Sequence, residues 1–268
     1  NLNFFMFNIQ WAKIPKKNRN LILYISDKDG KFDIYAYNLE EKSSKKVLER
    51  KEGIFFFTPS HDGKSIYYLK DFQGSEKGHF VKRDIQSGVE IDLTSGVEDY
   101  FSFEIVEHLE NSELFSFVAS QNEHNYLYLQ KREQSKVLCK SKQNIGSPIF
   151  LKNTNKLLYT RENEKHNWEV IKIDLITNQE EILRISSEEI YLLDSDEKGI
   201  IVMTNDEGRY MVYNLDLECG NLNPIHRNLS TEGDYFYLAR GENRHLLSHF
   251  HKAQSKLVEI RENEIYEY

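Results

Sequence analysis

Short apolar runs alternate with polar turns along the whole chain, and their positions follow a period of two rather than the 3.6 of a helix. Leu21–Ile25 is followed by Asp29-Gly30 and then by the alternating Ile34-Tyr35-Ala36-Tyr37. Phe55-Phe56-Phe57 is followed by Asp62-Gly63 and then by Ile66–Leu69. An Asp-Gly pair between hydrophobic runs predicts a hairpin, because Gly takes the positive φ of the turn and Asp tolerates it. The spacing then recurs. Leu21–Ile25, Ile66–Leu69, Leu114–Val118, Leu157–Thr160, Ile200–Thr204 and Leu246–Phe250 begin 43 to 48 residues apart. Asn38-Leu39, Asp84-Ile85, Asp174-Leu175 and Asn214-Leu215 each end the next strand, with Lys131 and Arg261 in that slot of units three and six. A period of roughly 40–50 residues with four strands per unit predicts a β-propeller.

The predicted fold is therefore all-β, a six-bladed propeller of four-stranded antiparallel blades. It forms a single domain over residues 1–268, with blades at about 1–50, 51–95, 96–141, 142–186, 187–230 and 231–268. The inner strand of unit one is read as Phe4–Trp11, that of unit two as Ile54–Thr58 and that of unit three as Tyr100–Val106. One stretch also suits a helix: Val97, Tyr100, Phe101, His108 and Leu109 would share a helical face. Phase with the neighbouring units favours strand there. Four strands fall in every unit with none left over, which predicts a ring closed without a strand-exchange clasp.

Ser60-His61-Asp62-Gly63-Lys64-Ser65-Ile66-Tyr67-Tyr68 resembles the S-P-D-G-K-x-I-x-[FY] core of the TolB-type, WD-like propeller repeat. Ser26-Asp27-Lys28-Asp29-Gly30-Lys31-Phe32-Asp33-Ile34-Tyr35 resembles the loop and strand that follow it, S-D-R-D-G-x-x-[ED]-I-Y. His61 stands where the repeat usually has Pro. The match is close in the first two units and periodic in the other four. Such repeats occur in TolB, in the amino-terminal propellers of the prolyl oligopeptidase family and in several polysaccharide lyases, so the resemblance implies a fold more than a function.

Charge narrows the partners. Thirty-five Lys and Arg against 43 Asp and Glu give a net charge of −8, scattered rather than blocked, where a nucleic-acid groove needs a concentrated basic stripe. Cys139 and Cys219 are 80 positions apart in different units and read as two free thiols, which leans towards a reducing, cytoplasmic compartment. No apolar run reaches the length of a membrane span. Asn1–Trp11 lacks the basic leader and cleavage site of a signal peptide. A chain beginning with Asn rather than Met reads as trimmed or processed.

Candidate chemistry is sparse. No G-x-S-x-G elbow is present; Gly74-Ser75-Glu76-Lys77-Gly78 comes nearest, with its Ser one place early. There is no phosphate-binding glycine motif. His245, His249 and His251 would share one strand face, but no Asp or Glu is pinned at a matching spacing to complete a metal site. The reading is no catalytic residue, no metal and no cofactor. Acidic pairs such as Glu180-Glu181 read as charged edges.

A propeller collects its second-to-third-strand loops and its blade-to-blade connections on one face. Here that face would present Asp27, Asp71, Phe72, Tyr100, Arg161, His166, Trp168 and Arg209 as binding residues, alongside Asp29, Asp99 and Asp206. Mixed aromatic and charged side chains are how recognition surfaces are composed. The resemblance adds what such a face would do. It implies a non-catalytic recognition or gating propeller that admits a peptide or protein ligand at the loop face or central channel, with a hydrolase domain following Tyr268. The alternatives are a free-standing TolB-like protein-binding scaffold and, from another class, a propeller-fold polysaccharide lyase or hydrolase.

Overall fold

A computed structural model of the chain describes residues 9–267, apart from Glu52, Phe55, residues 197–198, Glu207, Thr231, residues 242–243 and residues 262–263. The described residues form β-strands joined by turns, with no helix among them, and none long and apolar enough to cross a membrane. Twenty-four strands make six sheets, each a four-stranded antiparallel meander of consecutive strands. The fold is a six-bladed β-propeller.

The first sheet holds β1 (Ile9–Lys13), β2 (Leu21–Ser26), β3 (Asp33–Asn38) and β4 (Ser43–Leu48). The second holds β5 (Thr58–Pro59), β6 (Ser65–Asp71), β7 (Gly78–Asp84) and β8 (Glu90–Asp92). The third holds β9 (Ile105–His108), β10 (Asn111–Gln121), β11 (His124–Lys131) and β12 (Gln134–Ser141). Next come β13 (Ile145–Phe150), β14 (Lys156–Glu162), β15 (Trp168–Asp174) and β16 (Glu180–Ser186). The fifth sheet holds β17 (Ile190–Asp196), β18 (Gly199–Asp206), β19 (Arg209–Leu215) and β20 (Leu222–Pro224). The sixth holds β21 (Asp234–Gly241), β22 (Arg244–His251), β23 (Gln254–Arg261) and β24 (Glu264–Glu267), and β24 pairs with β23 of its own sheet.

The period-two pattern explains these strands. In the β2–β3 hairpin, Leu23 pairs with Ala36 and Ile25 with Ile34, and all four are buried. The outer strand β4 carries exposed Ser43, Ser44, Lys45 and Lys46, charged and polar as an edge should be. The chain divides into two compact units, Asn1–Lys140 and Ser141–Tyr268, with three sheets in each. In the first, Leu23, Ile25, Phe57, Ile66 and Tyr68 join the first two sheets. Tyr67, Phe80, Tyr100, Phe115 and Phe117 join the second and third. In the second unit, Leu158, Val170, Ile200 and Val202 form one core, and Ile201, Val212, Leu247 and Val258 another. Full burial of a side chain of this size contributes roughly 1.5–3 kcal/mol.

The inner strands differ most from expectation. Ile54–Thr58 was expected as a strand, but β5 pairs only through Thr58 and Pro59 with Tyr67 and Ile66. Pro59 has no N–H to give a ladder, so the pairing stays short. Tyr100–Val106 was expected as one strand. Instead Tyr100 and Phe101 make isolated bridges to Gly78 and Ser120, and β9 begins only at Ile105. Much of the expected strand Phe4–Trp11 lies outside the described residues, and β1 runs on to Lys13.

Candidate functional site

Unit 1 carries a cavity of about 560 Å³ where the connections entering β5 and β9 meet the β6–β7 loop. Its apolar wall is Phe56, Leu69, Phe101 and Phe103. Phe101 and Phe103 meet edge to face at 4.6 Å, and Phe56 meets Phe103 at 6.4 Å, both near the perpendicular geometry that aromatic quadrupoles favour. Phe103 is 52% exposed, a large apolar side chain held open to solvent.

The polar wall is prearranged. Arg50 donates from Nη1 to Asp71 Oδ1 and from Nη2 to the Asp71 carbonyl oxygen, both at 2.9 Å. The guanidinium also lies 6.0 Å from the Tyr68 ring centroid. A planar two-pronged contact of this kind fixes direction as well as charge. Asp71 Oδ2 accepts from the Glu76 backbone N–H at 3.3 Å, which closes the β6–β7 loop. Glu76 lines the cavity, adopts φ +59° and is exposed, and among the described residues no cation pairs with its carboxylate.

The expected loop-face residues divide into those that line this cavity, those that support it and those that lie elsewhere. Asp71 lines it, and Phe72, 71% exposed, crowns the same loop. Tyr100 is fully buried and supports rather than presents. Its hydroxyl accepts from Phe80 N–H at 3.0 Å and bonds Thr94 Oγ1 at 2.7 Å, while its ring stacks on Phe117 at 5.3 Å. Asp27 caps the β2–β3 turn, its carbonyl oxygen accepting from Gly30 N–H at 2.8 Å. In the same turn, Asp29 pairs with Lys46 at 2.9 Å and accepts from the Tyr35 hydroxyl at 2.8 Å; those bonds, Lys46 foremost, hold its carboxyl below the ordinary range. Asp99 lies 3.4 Å from His79 Nε2.

In unit 2 the β14–β15 loop is tied up internally. Arg161 reaches Glu169 at 3.0 Å and Glu180 at 3.5 Å, and His166 lies 2.6 Å from Glu162. Trp168 is half-buried opposite Glu162 at the start of β15, and Arg209 opens β19 opposite Asp206, whose side chain lies outside the described residues. Of the three histidines, His249 stacks on Tyr235 at 4.3 Å and bonds the Glu232 carbonyl oxygen through Nε2 at 2.7 Å, and His251 Nε2 lies 3.2 Å from the Glu232 carboxylate.

Sequence reasoning did not single out Arg50, Phe101 or Phe103 as site residues. A second missed group lies around the β1–β2 and β5–β6 turns. There Lys17 N–H donates to His61 O at 2.7 Å and Lys17 Nζ to Leu109 O at 2.9 Å, while Glu107 accepts from His61 N–H at 2.7 Å and Tyr67 Oη–H at 3.1 Å. Burial raises the Glu107 carboxyl above its ordinary value and lowers the His61 imidazole to about 4.

No family model matches the sequence, and no curated protein matches it. Solved structures do match. Oligogalacturonate lyase in complex with manganese aligns at TM-score 0.73 and 12% identity, over 97% of this chain and 76% of that one. The β-propeller domain of the Trilobed protease from Pyrococcus furiosus aligns at TM-score 0.72 and 13% identity, over 98% and 83%. Pyrococcus horikoshii acylaminoacyl peptidase aligns at 0.71 and 14%, over 98% of this chain and 46% of that one. The shared feature is the propeller. At such identities the likeness is one of fold, and this chain spans less than half of the acylaminoacyl peptidase.

Proposed function

We propose that this chain is a recognition module without catalysis of its own, binding a peptide or protein segment on the loop face of unit 1. One observation carries the reading: an open aromatic wall, Phe56, Phe101 and Phe103, stands opposite a preset Arg50–Asp71 pair. Ligand sites are concave and mostly apolar with a few fixed polar groups, and this cavity has that composition. Two of its lining residues, Phe56 and Leu69, pack against the buried cluster of Tyr100, Phe80 and Phe117. Prearranged walls lower the ordering cost of binding. The peptidases among the fold neighbours support a role in screening peptides for a hydrolase domain following Tyr268, and such a domain belongs to the proposal. A free-standing TolB-like scaffold would use the same surface.

The lyase among the fold neighbours is in complex with manganese, which prompts the metal-dependent alternative. Among the described residues no three His, Cys, Asp or Glu side chains gather as ligands.

The test is a peptide array probed with the purified chain and with Phe103→Ala. Peptides captured by the parent chain and released by the variant support the reading. Equal capture by both places recognition elsewhere and ends it. The purified chain is also expected to leave peptide and ester substrates intact; turnover lost on mutating one of its serines would make it an enzyme.

A further inference from the structure

We infer that the unit 1 cavity selects a cationic side chain, an arginine or lysine of the bound peptide, by combining three phenylalanine rings with the carboxylate of Glu76. The inference rests on the loop-face reading above and adds the ligand's chemistry. Charge decides it. Among the described residues the cavity is lined by one cation, Arg50, whose guanidinium donates to Asp71 through two bonds of 2.9 Å. Those two charges cancel. Glu76 remains, exposed at the rim with no cation paired to it among the described residues.

The apolar side points the same way. Phe56, Phe101 and Phe103 meet in successive edge-to-face contacts, so differently oriented ring faces border one space. A ring face carries the negative part of the aromatic quadrupole and attracts a cation within about 6 Å of its centroid. Arginine and lysine also bring an aliphatic stem, which Leu69 and the rings can cover while the charged head reaches the rim. An acidic ligand would meet Glu76 unfavourably, and a purely apolar one would leave its charge unused.

The Glu76 backbone is held independently of its carboxylate. Its N–H is bonded to Asp71 Oδ2 at 3.3 Å, and its side chain is exposed. Glu76→Gln therefore removes the charge while preserving the loop.

The experiment is an amide-resolved NMR titration of the whole chain with three capped peptides of one sequence, whose central residue is arginine, norleucine or glutamate. The arginine peptide is expected to move the signals of Gly53, Phe101, Ser102 and Phe103, and to bind about three- to tenfold more tightly than the norleucine peptide. Glu76→Gln should remove most of that preference, and added salt should weaken the arginine peptide selectively. Phe103→Ala should weaken both the arginine and the norleucine peptide, the arginine peptide more. Equal binding of arginine and norleucine peptides at the cavity, unchanged in Glu76→Gln, overturns the cationic assignment and leaves peptide recognition standing. Shifts confined to other surfaces overturn the cavity as the site. No shift with any of the three, together with an empty peptide array, overturns both readings.

Discussion

The backbone N–H of His61 donates to Glu107 Oε2 at 2.7 Å, tying the β5–β6 turn to the inner strand of the third sheet. The repeat that this turn resembles has proline at that place, and proline has no N–H to give. The His61 ring adds a second contact, Nε2 to the Glu107 carbonyl oxygen at 2.9 Å. A departure that looks neutral as a turn residue thus serves a buried carboxylate, Glu107 being 5% exposed.

Restoring the repeat's proline should therefore destabilise the protein. His61→Pro removes the donor and is expected to cost about 1–3 kcal/mol, since a buried acceptor is left short of a partner. His61→Ala keeps the N–H and should cost less. Urea unfolding of the three proteins at equal m-value reads the order directly, and a proline variant as stable as the parent would refute it.

Stability should also fall with acid through this residue. Burial lowers the His61 imidazole from 6.5 to about 4, so the unfolded chain binds the proton first. The contribution is fully present above pH 6.5 and is lost as pH falls towards 4, with a slope of at most about 1.4 kcal/mol per pH unit. Glu107 works in the opposite sense. Burial raises its carboxyl, so its contribution is present below the ordinary value of 4.5 and is lost as pH rises through the folded one. Subtracting the profile of His61→Gln from that of the parent isolates the histidine. The difference should climb between pH 4 and 6.5 and stay level above 7; a level difference throughout would contradict the assignment.

Gly78→Ala should disturb the segment that leads into the cavity residues Phe101 and Phe103. A Cβ at that position would clash with the Lys70 carbonyl oxygen, backbone of the paired β6–β7 hairpin. Gly78 N–H also donates to Tyr100 O at 3.0 Å, joining the second sheet to the segment that leads into Phe101 and Phe103. A loss of about 2–4 kcal/mol is expected, as for other steric intrusions into packed structure. Thermal unfolding measures it. Peptide binding in the variant, tested below its midpoint, should weaken too.

Leu23→Ala tests the core shared by the first two sheets. The side chain is fully buried among Ile25, Ile34, Ile66 and Tyr68. Its removal should cost about 2–5 kcal/mol, with the amides of β2 and β3 losing hydrogen-exchange protection before those of β14 and β15. Equal loss of protection in all four strands would show that the two units unfold as one.

The strands that were legible are those whose signal is local. β7, Gly78–Asp84, ends at the expected Asp84-Ile85 marker because apolar and polar residues alternate across it between a loop and a turn. β10 runs from Asn111, well before the apolar Leu114, because its first residues are polar and are ordered by a ladder that hydropathy does not report. The cavity was harder to read for the same reason. Phe101 and Phe103 look like core strand residues, and only the isolated bridges at Tyr100 and Phe101 turn the chain so that Phe103 faces solvent. Arg50 meets Asp71 across 21 positions, a pairing set by how two sheets lie together. Tyr100 was expected at the surface, yet Thr94 and Phe80 satisfy its hydroxyl and allow the whole ring to be buried.

Every sheet is completed by strands that follow one another directly in the chain. A nascent polypeptide can therefore finish the hydrogen bonding of each described blade as soon as that blade has left the ribosome, with no strand waiting for a partner still to be synthesised. Domains generally fold in the order of their synthesis, and incomplete sheets with open edges are the species that aggregate. Elongation itself then becomes the schedule of assembly: the Lys17–His61–Glu107 contacts can form once the third sheet emerges, before the second unit has left the ribosome.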